Sequence, residues 1–177
     1  MRRLDESQVR LSVFTEKEGL LSAVAHDLHL EAGQLTLEID EGPTVNIKVP
    51  TRSLRVVTAL ESGQPSGALT SGDHDKIEDA MRREVLKADA FPHIEFSSTS
   101  VGRGEGGYTV QGILRLCGVE KEISARIQSD GERYKTKVIL HQPDFGITPY
   151  KALMGALKVA ANVTVEVSVK KSDAETG

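Results

Sequence analysis

The sequence predicts an all-β protein with one or two short helices, built as an eight-stranded antiparallel up-and-down barrel. Three observations carry that expectation. Apolar and polar residues alternate with a period of two in segment after segment, most completely from Lys158 to Lys170. That spacing puts one oily face and one wet face on a strand. Most links after residue 94 are two to six residues long and rich in Gly or Asp, as in hairpins that join neighbouring strands. One pattern alone is clearly helical, and it lies in an insertion between strands.

The elements follow in order. Val9, Leu11 and Val13 mark the first strand. Leu28 and Leu30, then Leu35, Leu37 and Ile39, read as one long strand bent at Ala32-Gly33, where the parity slips; a glycine inside a strand pattern marks a bulge or sharp bend. After the Asp40-Glu41-Gly42-Pro43 turn come Val45, Ile47 and Val49. Residues 59–92 are an insertion: a Gly, Ser and Pro loop, Asp73 as N-cap, and a helix over about 74–88. Ile77, Met81, Val85 and Leu86 share one side of that helix, which suits a lid. Ile94 and Phe96 follow, then Tyr108, Val110, Leu114 and Leu116. Val119, Ile123, Ala125 and Ile127 come after the Cys117-Gly118 turn, and Tyr134, Thr136, Val138 and Leu140 after Ser129-Asp130-Gly131. Residues 148–157 offer a short helix or apolar flap before the last strand, in which Val159, Ala161, Val163, Val165, Val167 and Val169 face one way. The whole reads as a single domain over residues 1–170 with a polar, disordered tail over 171–177.

Composition excludes several classes. With 22 Lys and Arg against 26 Asp and Glu, the net charge is -4, so there is no basic surplus for nucleic acid. No stretch approaches the roughly 20 apolar residues of a spanning helix, so stable membrane insertion is not expected. Met1-Arg2-Arg3 runs directly into Leu4-Asp5-Glu6-Ser7-Gln8 rather than an apolar core, and the one cysteine, Cys117, has no partner in the chain for a disulfide. The expected location is the cytoplasm.

A barrel of this strand number either packs solid or holds one small ligand. Aromatic residues make up 4% of the chain, with no Trp, so aliphatic side chains must line the interior. Strands of about 9–13 residues rising roughly 3.3 Å per residue make it tall. A long linear apolar ligand fits such a lumen. The expected lining is Val13, Leu28, Leu30, Val45, Ile47, Ile94, Phe96, Val110, Leu114, Ile123, Val138, Phe145 and Val163. His26 and Asp27 are the candidate head-group or rim residues, and Leu153 and Met154 the candidate gate.

Chemistry beyond binding is poorly signalled. His26 and His29 could join His74, Asp75 or His141 as metal ligands, yet no spacing matches a zinc signature, and no metal or other cofactor is expected. Ser22, His26 and Asp27 lack the strained elbow of a hydrolase nucleophile. Cys117 reads as a turn residue. No catalytic residue is assigned. The alternative to a carrier is a stress-related or structural interaction module whose barrel is filled by its own side chains; a small enzyme using His26 and Asp27 comes third.

Phe91-Pro92-His93-Ile94-Glu95-Phe96-Ser97-Ser98-Thr99, Tyr108-Thr109-Val110-Gln111-Gly112-Ile113-Leu114, Gly118-Val119-Glu120-Lys121 and Asp144-Phe145-Gly146-Ile147 together resemble the YceI-like family of polyisoprenoid-binding proteins. The resemblance covers about residues 8–170. It implies a lipocalin-like eight-stranded barrel, often a homodimer, whose lumen carries or sequesters an isoprenoid or prenyl-quinone-like lipid without catalysis. Many relatives have an export signal and His-Leu-Gly after the first strand. With no such signal expected and Ala25-His26-Asp27-Leu28 at that place, this chain resembles a cytoplasmic branch of the family.

Overall fold

The structure, a computed structural model, describes residues 1–19, 25–42 and 44–175, the side chain of Leu153 excepted. Its strands are β1 (Arg2–Asp5), β2 (Val9–Glu18), β3 (Asp27–Ala32), β4 (Thr36–Ile39), β5 (Val45–Pro50), β6 (Leu54–Glu61), β7 (Gln64–Ser66), β8 (His93–Gly104), β9 (Gly107–Leu116), β10 (Val119–Asp130), β11 (Arg133–His141), β12 (Lys151–Ala152) and β13 (Leu157–Lys170). Helix α1 (Ser71–Ala80) runs into a π-helical turn (Met81–Val85), and α2 (Lys171–Ala174) is one turn where a disordered tail was expected.

All the strands belong to one antiparallel sheet, with the path β1-β4-β5-β8-β9-β10-β11-β13-β2-β3-β6-β7 and β12 paired to the side of β13. β3 and β4 lie near opposite ends of that path, yet three residues join them. The sheet must therefore curl until its ends meet at Ala32-Gly33-Gln34-Leu35. There the Gly33 N–H donates to Ser53 O at 2.8 Å, and a Cβ on Gly33 would stand 3.0 Å from that same oxygen. The bend at Gly33 is thus what rolls the sheet, and it divides the expected long strand in two.

The eight-strand expectation does not hold: thirteen strands occur among the described residues. The main omission is β6. Its buried residues are Leu54, Val56 and Ala59, so its inward parity changes partway, and its register with β3 shifts between His29 and Leu30. A bulge places two residues opposite one, which erases the alternation that would have revealed the strand. β1 buries Leu4 alone, and β7 and β12 are too short to carry a period. β13 is also less regular than its sequence: its register with β2 shifts between Val159 and Val163.

The helix begins earlier than expected. Thr70, not Asp73, is the N-cap; Asp73 is the third residue of a capping box, accepting from the Thr70 N–H at 2.9 Å while its own N–H donates to Thr70 Oγ1 at 3.2 Å. The Thr70 N–H, and after it the Thr70 hydroxyl, which donates to Asp73 Oδ2 at 2.8 Å, hold the Asp73 carboxyl below the usual carboxylate range. The 148–157 segment forms β12 and a 3₁₀ turn (Leu153–Gly155) rather than a helix of any length.

Candidate functional site

Inside the curled sheet lies a cavity of about 530 Å³. The period-two faces build its wall. Leu30, Val13, Val165 and Val138 sit directly opposite one another on β3, β2, β13 and β11, and all four line the cavity. Because the strands are in register, one inward residue on each extends the same apolar band around the curve.

Twelve of the thirteen expected lining residues are in the wall: Val13, Leu28, Leu30, Val45, Ile47, Ile94, Phe96, Val110, Leu114, Ile123, Val138 and Val163. Phe145 is not. It sits on a 3₁₀ turn (Gln142–Phe145), 3% exposed, and belongs to the packed core with Leu116 and Ile147. The alternation that places strand residues has no purchase on a 3₁₀ turn. Ala161, expected on the oily face of β13, is also absent from the wall, since the register shift rotates that stretch.

Phe96 has its ring in the lumen because Gly112 has no side chain. A Cβ on Gly112 would lie 2.5 Å from Phe96 Cζ and 2.4 Å from Ser97 O. The Phe91-Pro92 segment is likewise fixed by close contacts. Thr51, 1% exposed, donates its hydroxyl to Phe91 O at 2.7 Å and its N–H to Pro92 O at 2.9 Å. The Phe91 ring packs on Gly118, which has φ +77° in the turn between β9 and β10. That anchors the junction where the helical insertion re-enters the sheet.

The insertion covers the cavity with Ile77, Ala80, Met81, Val85 and Leu86. Glu78 Oε1 accepts from the Val56 N–H at 2.8 Å, and Arg82 donates to Leu54 O at 2.9 Å while pairing with Glu78 at 3.1 Å. These bonds tie the helix to β6. Cys117 Sγ donates to Leu86 O at 3.4 Å, and burial pushes its thiol up from its ordinary pKa, with the Lys87 charge opposing weakly. A raised pKa keeps the thiol protonated and unreactive.

The polar part of the wall was not anticipated beyond His26. Thr15, Lys17, Lys76, Gln142, Tyr150 and Lys158 also line the cavity. Lys17 could have been found by extending the parity Leu11, Val13, Thr15 by one more step, and Lys76 by noting that it precedes Ala80 by one helical turn. Asp27 is absent from the wall. It accepts from the Lys17 N–H at 2.7 Å, joining β3 to β2. His29 lies on the outer face, stacked on Phe14 at 4.7 Å between ring centroids and 3.1 Å from Ser12 Oγ. The strand alternation therefore separates His26 from Asp27 and His29, and among the described residues no group of three His, Cys, Asp or Glu is placed to hold a metal ion. Ser22 lies outside the described residues, as does the Leu153 side chain. Met154, the other gate candidate, is fully exposed with φ 58°; its side chain stands in solvent instead of over the cavity.

No helix among the described residues is long and apolar enough to cross a membrane. No curated protein matches the chain in sequence. Solved structures share its fold at low identity. A Burkholderia cenocepacia protein, BcnA, superposes with TM-score 0.62 at 11% identity, covering 91% of this chain and 94% of that one. A polyisoprenoid binding domain from Saccharophagus degradans, implicated in plant cell wall breakdown, gives 0.57 at 13%, covering 91% of each. A mutant Campylobacter jejuni YCEI protein gives 0.51 at 12%, covering 78% of this chain and 80% of that one. The model of the YceI-like domain matches residues 3–171, and with nearly its whole length inside that match the chain belongs to the YceI-like family.

Proposed function

We propose that this protein binds a linear apolar lipid, isoprenoid or prenyl-quinone-like, in its lumen, and carries or sequesters it without catalysis. The observation that carries this reading is the cavity itself. About 530 Å³ of space stands beside a packed core, whereas protein interiors ordinarily leave few voids larger than a water molecule. A barrel filled by its own side chains would not keep it.

The size supports a single chain. At about 30 Å³ per water-sized group, the cavity of about 530 Å³ holds roughly 18 carbon groups. Burying that many at about 0.8 kcal/mol each contributes at most roughly 14 kcal/mol. An association cost on the order of 5–8 kcal/mol leaves at most roughly 6–9 kcal/mol, an affinity in the micromolar range. The fold shared with a domain described as polyisoprenoid binding points the same way. No Asp or Glu lines the cavity among the described residues, which leaves the wall without a paired acid and base. The single half-buried thiol of Cys117 suits the reducing cytoplasm that belongs to this reading. A homodimer is also part of it; Ile139, 67% exposed on β11, is an apolar position available to a second copy, and sedimentation velocity tests the pairing.

Native mass spectrometry of the purified protein, followed by solvent extraction and lipid analysis, tests the central claim. A stoichiometric single-chain isoprenoid is expected. A clean apo mass that stays unchanged after incubation with prenyl quinones, prenyl phosphates and prenyl alcohols would refute it.

A further inference from the structure

Resting on the carrier reading, we propose that the bound lipid has an anionic head group, a carboxylate or a phosphate, held at the lumen mouth by Lys17, Lys76 and His26, with Thr15 just inside. The chain as a whole carries more acid than base, at -4. The cavity wall departs from this: its charged or chargeable side chains apart from Tyr150 are Lys17, His26, Lys76 and Lys158, with no carboxylate among the described residues.

Three of these face the lumen through the same periodicities that build the apolar wall. Lys17 continues the face of Leu11, Val13 and Thr15 on β2; His26 continues the face of Leu28 and Leu30; Lys76 lies one helical turn from Ala80 on α1. Lys158 is compensated by Glu18 at 3.2 Å. Lys17 and Lys76 have no carboxylate within ion-pair distance among the described residues; Asp27 is engaged with the Lys17 N–H, and Asp73 with Thr70. Two cationic side chains thus line an apolar cavity without a direct ion pair, Lys76 feeling the Asp73 carboxylate only at longer range. Lys17, His26 and Lys76 are exposed, so they present positive charge to solvent beside the cavity, a field that draws in an anion.

The second observation is a hydroxyl. Thr15 Oγ1 is buried with no hydrogen-bond partner among the described residues, and Thr15 lines the cavity on the same face as Lys17, one inward position deeper. Successive inward residues on a strand stand roughly 6–7 Å apart, about the reach of a head group spanning both. As placed the hydroxyl is sealed from the lumen; turned about its Cα–Cβ bond it would donate to a carboxylate or phosphate oxygen whose charge meets the ammonium groups. An aliphatic alcohol satisfies the hydroxyl and leaves the charges alone, and a quinone ring does no better.

Isothermal titration of the delipidated full-length protein with matched pairs tests this: hexadecanoate against hexadecanol, and geranylgeranyl phosphate against geranylgeraniol. Each anion is expected to bind at least tenfold tighter than its alcohol, and the two pairs separate a carboxylate cargo from a phosphate one. In a Lys17→Gln, Lys76→Gln double variant the anion's advantage over its matched alcohol is expected to fall at least tenfold, with far-UV circular dichroism reading the fold separately. Equal affinities within both pairs, or an anion preference that survives the double variant, overturns the head-group assignment and leaves the carrier reading standing. Failure of all four lipids to bind removes both.

Discussion

Val165 stands at the centre of the band formed with Leu30, Val13 and Val138, and its side chain faces the open cavity. Replacing it with Trp adds about seven non-hydrogen atoms, which at about 30 Å³ each occupy roughly 200 Å³ of the 530 Å³ available. A ligand denied burial of about seven CH₂ groups loses roughly 5–6 kcal/mol, or about four decades of affinity. A chain that shifts along the lumen recovers part of that, so the expected loss is at least a hundredfold. Because the ring enters existing space, thermal stability is expected to hold or rise. Lipid titration and thermal unfolding of the same preparation read the two effects separately. Unchanged lipid affinity with a stable fold would show that the ligand does not occupy this cavity, and unfolding would show that Val165 faces a packed core. The same substitution at Val110, also in the wall but 2% exposed, makes the contrast: with little free space at that side chain, the ring costs about 1–3 kcal/mol of stability.

Three further outcomes follow from the contacts. Gly112→Ala sets a methyl against the Phe96 ring and Ser97 O and is expected to cost about 1–3 kcal/mol in denaturant unfolding; no change in midpoint would mean the ring lies elsewhere. Thr51→Val leaves Phe91 O without the hydroxyl it accepts from at 2.7 Å, a loss of about 1–3 kcal/mol, with faster amide exchange expected at the junction of the insertion and β8. Cys117, its thiol pKa raised by burial, is expected to alkylate much more slowly than a free cysteine at pH 8 and at the ordinary rate in urea. The sign for stability follows: the folded state keeps the proton that the unfolded state releases, so this contribution is present below the ordinary thiol pKa and is lost as pH rises past it.

What could be read locally was read well. Twelve wall residues, from Val13 to Val163, follow from period two alone, because a strand's side chains alternate wherever the strand lies. The helix was visible through Ile77, Met81, Val85 and Leu86, although its cap was assigned three residues late, at Asp73 in place of Thr70. The alternation also separated His26 from Asp27 and His29, which the structure bears out. The failures have two origins. β6 and the Val159–Val163 stretch of β13 contain register shifts, and a bulge is a relation between two strands, so neither strand's own sequence displays it. Phe145 was assigned to the lumen by its hydrophobicity, yet a 3₁₀ turn directed it into the core.

The sequence by itself determined which face of each long strand is oily, where the sheet bends, and that aliphatic groups line the interior. Those are properties of neighbouring residues and the geometry of one strand. Tertiary structure alone decided that β6 enters the sheet beside β3, that Phe145 turns into the core, and that Lys17, His26 and Lys76 line one cavity. That convergence depends on which strands pair and how far the sheet curls, and no period within a segment encodes the distance between residues on different strands.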